Sequence, residues 1–154
     1  MKGTYILVLQ LDRLVPGLRI GKLGVFDFAP GFYLYVGSAF GAGGLAARLA
    51  HHRRVQKPRP HWHIDYLRPE ARLREAWTVG GPERFECRWC RALAAVPALS
   101  APVPGFGAGD TRCCAHLFYS PRPLRSRVLT SMILEPTLQE TAFHLRIEIH
   151  AFDG

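Results

Sequence analysis

The chain has 154 residues, 48% of them hydrophobic and 21% charged. That balance excludes a disordered chain, a coiled coil and a collagen-like fibre, and the length suits one domain, or one domain and a tail. Twenty Lys and Arg against twelve Asp and Glu give a formal charge of +8, a surface that attracts polyanions. Seventeen of the basic residues are Arg, a bias that genome base composition can also produce.

The charge is uneven. Residues 1–120 hold 16 basic and 8 acidic side chains, whereas residues 121–154 hold four of each. The excess peaks between Arg48 and Arg72, where His51, His52, His61 and His63 also fall. A boundary is therefore expected near Ser120, with a domain over 1–120 and a C-terminal extension over 121–154. The start MKGTYILVLQLDR has too short an apolar run for a secretory signal. The longest uncharged stretch, Ala92 to Gly109, contains Pro97, Pro102 and Pro104, so no membrane span is expected. These features predict a cytoplasmic protein whose four cysteines, at 87, 90, 113 and 114, stay reduced.

In chain order, Thr4 to Leu11 alternates and is rich in β-formers, which predicts a strand. Leu14 to Gly17 reads as a turn, and Arg19 to Phe28 as a second short strand punctuated by Gly21 and Gly24. Phe32 to Val36 is a third strand, so an antiparallel meander is expected. Gly41 to Gly44 is a flexible loop. Gly44 to Arg54 then reads as a helix that Lys57-Pro58-Arg59-Pro60 stops. His61 to Leu67 predicts a short helix, and Leu73 to Val79 a strand. Pro82 suits the first position of a helix that runs to about Val96. Pro97 to Gly109 reads as a loop, His116 to Ser120 as a last strand, and His144 to Ile149 as a possible strand in the tail. The expected class is α/β in the α+β sense, with a small central antiparallel sheet flanked by helices.

Three sets of residues suggest chemistry. Gly41-x-Gly43-x-x-Ala46 matches a dinucleotide-binding fingerprint, but no strand lies between Arg48 and Asp65 to carry the acidic ribose ligand. Cys87-x-x-Cys90 with Cys113-Cys114-x-His116 has zinc-ligand chemistry at poor spacing. The third set is stronger. Gly3-Thr4-Tyr5 opens the first strand and Tyr35-Val36-Gly37 closes the third, so two phenols can face one side if these strands are neighbours. Arg48 and His52 stand four apart on one helix face, and Glu86 lies on the later helix. Each residue singly has an ordinary packing or surface explanation. Together, on a basic surface, they form a sensible phosphodiesterase site. The carboxylate would hold a hard cation such as Mg²⁺ or Mn²⁺, and Arg48 would offset phosphoryl charge. A tyrosine acting as general base would need a nearby cation to lower its pKa from about 10.

These motifs resemble those of the GIY-YIG nuclease superfamily. Gly3-Thr4-Tyr5 and Tyr35-Val36-Gly37 stand for the two halves of that name, and Leu45-x-x-Arg48-x-x-x-His52 for the helix that follows. A prokaryotic branch, sometimes fused to endonuclease III-type repair enzymes, is similar in Gly21-Lys22-Leu23-Gly24, Trp62-His63-Ile64-Asp65-Tyr66-Leu67, Glu86-Cys87, Pro104-Gly105-Phe106-Gly107 and His116-Leu117-Phe118-Tyr119. The resemblance covers residues 1–120. It implies a metal-dependent endonuclease acting on nucleic acid, most readily DNA, in repair or recombination, with a repair protein as a further partner and no membrane. Tyr5 and Tyr35 would orient or activate water, Arg48 and His52 would serve the phosphate or the proton, and Glu86 would hold the metal. His63, Asp65 and His116 match the branch without a defined role, and Arg53, Arg54, Lys57 and Arg59 would contact the nucleic-acid backbone. Thr4 replaces the usual Ile at a position expected only to pack, and Thr111 replaces the first Cys of the branch's Cys-x-Cys-x-x-His pattern. The alternative on the same scaffold is a nucleic-acid-binding module that does not cut.

Overall fold

A computed structural model describes residues 1–108, 115–140 and 146–152, those of 135–140 by their backbone alone. The first strand, β1 (Gly3–Leu11), carries no charged residue and is buried on both faces. That composition suits only the middle of a covered sheet. β1 pairs along its whole length with β4 (Gly31–Ala39) and, on its other edge, with β5 (Arg72–Gly80). β6 (Leu117–Ser120) adds outside β4, and β7 (Glu148–Ala151) outside β5. The sheet has order β6-β4-β1-β5-β7 and every pairing is antiparallel.

The period-two alternation of β1 sends alternate side chains to two separate cores. Tyr5, Leu7, Leu9 and Leu11 meet one core, with Leu45 and Leu49 of α1 (Gly44–Arg53) and Ile64 and Leu67 of α2 (Ile64–Leu67). Ile6 and Val8 meet the other, with Trp89 and Leu93 of α3 (Glu86–Ala94) and Leu129 and Ile133 of α4 (Ser126–Glu140). The result is an α+β sandwich with helices on both faces of one sheet. Among the described residues, no helix is long and apolar enough to cross a membrane.

Three expectations are corrected. The early strands are not a meander. β2 (Val15–Ile20) and β3 (Gly24–Phe28) form their own two-stranded hairpin, closed by Leu23 N–H donating to Ile20 O at 2.9 Å, with Gly21 at φ 50°. Both strands carry exposed positions, whereas β1 and β4 are apolar on both faces and select each other. The helix expected from Pro82 begins only at Glu86. The tail holds a 15-residue helix, α4, that the sequence reading lacked; its strand is Glu148–Ala151, and residues 144 and 145 of the expected strand lie outside the described residues. The boundary expected near Ser120 falls between β6 and α4. α4 packs on α3, and β7 pairs with β5.

Candidate active site

The site forms at the end of the sheet where β1 begins and β4 finishes. β1 and β4 are register partners with Tyr5 opposite Gly37 and Leu7 opposite Tyr35. Tyr5 and Tyr35 therefore share a face as diagonal neighbours, with ring centroids 6.5 Å apart. Gly37 is required by what lies above it. A Cβ there would sit 2.5 Å from the Tyr5 hydroxyl oxygen and Cζ, so the phenol occupies space that only glycine leaves. Gly107 plays the same part for Tyr35, since its Cβ would come within 3.0 Å of that ring.

α1 supplies the next pair. Leu45 and Leu49 anchor it to the sheet, which turns His52 fully inward and Arg48 toward the cleft. His52 Nε2 lies 2.7 Å from the Tyr5 hydroxyl. Among the described residues, its buried Nδ1 has no hydrogen-bond partner. The C-terminal carbonyls of α1 are held by Arg68, a buried residue the sequence reading did not single out. Its Nε donates to His52 O at 2.6 Å and its Nη2 to Arg53 O at 3.2 Å. A planar guanidinium suits this because it reaches two carbonyls at once.

Arg48 is placed through Trp62 and Asp65. Its guanidinium carbon lies over the Trp62 ring, 4.2 Å from the centroid. Asp65 Oδ2 accepts the Trp62 N–H at 3.0 Å and the His61 N–H at 2.8 Å, which holds the loop that carries Trp62. Asp65 Oδ1 accepts from His51 Nε2 at 2.9 Å and faces Lys57 Nζ at 3.7 Å. Burial opposes the Asp65 charge, but the two backbone N–H groups and His51 outweigh it and hold the carboxyl below its ordinary pKa. His51, His52 and Asp65 lie close enough to be considered as a metal group. However, His51 and Asp65 are bonded directly to each other, and the Lys57 ammonium already stands beside the carboxylate. We read this cluster as a hydrogen-bonded support for the loop.

Glu86 comes from the opposite face of the sheet. The Phe85 N–H donates to Thr4 Oγ1 at 3.3 Å, tying the start of α3 to β1. Thr4 therefore does more than pack: its hydroxyl sets where Glu86 emerges. Glu86 Oε2 lies 3.3 Å from Nδ1 of the fully buried His116, and the same nitrogen lies 3.3 Å from Val36 O. Both neighbours are acceptors, so Nδ1 carries the proton.

Tyr5, Tyr35, Arg48 and Glu86 thus line one open cleft of about 350 Å³, together with Trp62 and Arg84. Arg84 and Phe40 belong to the cleft but were not singled out from the sequence. They lie 44 positions apart in the chain, with no spacing signal between them, and in space Arg84 stacks over Phe40 at 4.2 Å. The remaining predicted residues are placed differently. His52 and His116 lie beneath the cleft as supports. His63 accepts the Gly107 N–H through Nδ1 at 2.8 Å, which steadies the glycine against Tyr35. Arg53, Arg54 and Arg59 are exposed, with Arg53 lying over the Phe152 ring at 5.1 Å. Lys57 is turned inward, its ammonium donating to Arg54 O at 2.7 Å beside Asp65.

Burial pushes the Tyr5 phenol well above its ordinary pKa, and the adjacent Arg48 only partly counters this. Burial raises Tyr35 as well, with Tyr5 and Glu86 adding to it. Burial, with help from His51, holds His52 down at about 3. At pH 7 both phenols and the His52 imidazole are therefore neutral. The cation needed to make a tyrosinate is present as Arg48, but desolvation wins.

Cys87 is disulfide-bonded, while Cys90 is a free, buried thiol. This corrects the expectation of four reduced cysteines, and a disulfide sulfur has no thiolate to offer zinc. Cys113 and Cys114 lie outside the described residues.

Fold and cleft together define an α+β domain with a polar, tyrosine- and arginine-lined cleft at one end of its sheet. The chain belongs to the family of the domain of unknown function DUF123, whose model matches residues 4–135. No curated protein and no solved structure matches it. The resemblance to GIY-YIG nucleases is thereby corrected. The family matched is DUF123, which carries no assigned activity, and no GIY-YIG match accompanies it.

Proposed function

We propose that this protein is a metal-dependent endonuclease that hydrolyses phosphodiester bonds in DNA. The observation behind this reading is the convergence of Tyr5, Tyr35, Arg48 and Glu86 on one cleft from β1, β4, α1 and α3. Mg²⁺ is commonly held by one or two carboxylates, with waters and substrate phosphates completing its shell. A single carboxylate, steadied by a buried histidine and lining an open cleft with two arginines, fits that pattern. Bound on Glu86, the ion would lower the pKa of a coordinated water and offset charge on the phosphoryl oxygens.

The chain's own groups do the rest. Arg48, restrained over the Trp62 ring, presents its guanidinium N–H groups to the scissile phosphate. Tyr5 and Tyr35 stay neutral and orient water and phosphate through their hydroxyls. His52 holds the Tyr5 hydroxyl in place. His116 keeps one oxygen of Glu86 directed inward. The exposed Arg53, Arg54 and Arg59 supply positive charge for the flanking backbone.

The test is cleavage of a labelled panel of duplex, single-stranded, flapped and four-way-junction DNA, with RNA beside it, in Mg²⁺ or Mn²⁺. Cutting by the wild type is expected to fall at least about 100-fold in Glu86→Gln and in Tyr35→Phe, the scale of losing one preorganised group in a catalytic site. A second reading is a nucleic-acid-binding module that does not cut, favoured by Glu86 being the one carboxylate among the described cleft residues. Salt-sensitive binding without cutting in either metal would replace the first reading with the second.

A further inference from the structure

We propose that Arg84, stacked on Phe40, is a second phosphate-binding subsite, so that the cleft takes a DNA strand by two phosphates. This rests on reading the cleft as a phosphodiester site. Two guanidinium groups line the same cleft, and each has its Cζ over an aromatic ring, 4.2 Å from the centroid, Arg48 on Trp62 and Arg84 on Phe40. A cation–π contact restrains a guanidinium while leaving N–H groups for an acceptor, and the guanidinium fork suits bidentate phosphate recognition.

The two groups differ in what else they touch. Arg48 bears on Tyr5 and is placed by the Asp65-held loop. Among the described residues, no carboxylate forms an ion pair with Arg84. Glu86, two positions along, is engaged by His116 instead. The cleft thus carries two cations against one carboxylate before any metal is added. With a divalent cation on Glu86, as proposed above, that carboxylate offsets neither arginine, and one phosphodiester leaves the second arginine without a counter-charge. The neighbouring phosphate of the same strand supplies it. Cleavage position would then follow from where the strand is gripped, and a dinucleotide, with a single phosphate, would bind more weakly than a trinucleotide.

The experiment measures binding of the trinucleotide dTpTpT and of its two isomers in which one linkage is a neutral methylphosphonate. It is run at low salt without divalent cation, on the wild type, Arg84→Gln and Arg48→Gln. Bases and length stay constant, so only one charge changes at a time. The wild type is expected to lose about tenfold in affinity when either linkage is neutralised, the scale of one charge-assisted hydrogen-bonded contact. Arg84→Gln should lose about as much on the intact trinucleotide, then become insensitive to neutralisation of one linkage while remaining sensitive at the other. Arg48→Gln should show the converse. Arg84 is exposed, and circular dichroism checks that its variant keeps the fold. If Arg84→Gln responds to both neutralisations as the wild type does, the second subsite is refuted while the first stands. If the wild type does not bind dTpTpT, or ignores both neutralisations, the cleft is not a phosphodiester site and both readings fall.

Discussion

Moving the pH from 7 to 5 should destabilise the fold through His52. This imidazole is fully buried and is held at about 3 in the folded state, against about 6.5 in an unfolded chain. The folded pKa is depressed, so below pH 6.5 the unfolded chain binds a proton that the folded protein refuses. Stability present above 6.5 is lost as pH falls toward 3, at about 1.4 kcal/mol per pH unit once titration is under way. Between pH 7 and pH 5 the loss comes to about 2 kcal/mol, a large share of the 5–15 kcal/mol typical of a domain. His63 is shifted in the same direction, so the effect must be isolated by comparison. Urea unfolding at pH 7 and pH 5, for the wild type and for His52→Gln, separates the two. The variant need not match the wild type in stability, because the quantity compared is the pH dependence. It should be smaller by about 2 kcal/mol in His52→Gln. An equal pH dependence in both proteins would show that His52 titrates normally, and the neutral Tyr5–His52 pair would have to be abandoned.

Two further outcomes follow from the same geometry. Gly37→Ala keeps an ordinary backbone conformation but drives a methyl group to 2.5 Å from the Tyr5 ring and hydroxyl; it should cost about 1–3 kcal/mol as an overpacking change, read by urea unfolding, and unchanged stability would refute the close approach. Asp65→Asn removes the charge that faces His51 and Lys57 and should cost about 2–3 kcal/mol; the displaced loop should also shift Trp62 fluorescence, and an unaltered spectrum at unaltered stability would show that Asp65 does not hold the loop.

Much of the fold is legible in the sequence. β1, β4, β5 and β6 read as strands because their apolar and β-branched residues leave few other options, and α1 read as a helix because Leu45, Leu49 and His52 repeat at helical spacing. The same reasoning identified Tyr5, Tyr35, Arg48 and Glu86 as residues whose chemistry suits one another. It failed where a local signal was absent or misleading. α4 contains Pro136 and several β-branched residues, and it is a helix in a packed context that propensity alone does not announce. Pro82 advertised a helix start, but the hydroxyl of Thr4, 81 residues from Phe85 in sequence, decided where α3 begins.

Sequence alone determined which segments must be buried and which residue types were available for chemistry, because side-chain polarity and its period along the chain are local properties. Only the tertiary structure decided which of these residues share a cleft and which lie beneath it. Arg84 joined Phe40 at the cleft, His116 went under Glu86, and Lys57 turned from the surface toward Asp65. Those outcomes depend on strand register and on which face each helix covers. Both are set by burying apolar surface across the whole molecule, and no spacing within a single segment encodes them.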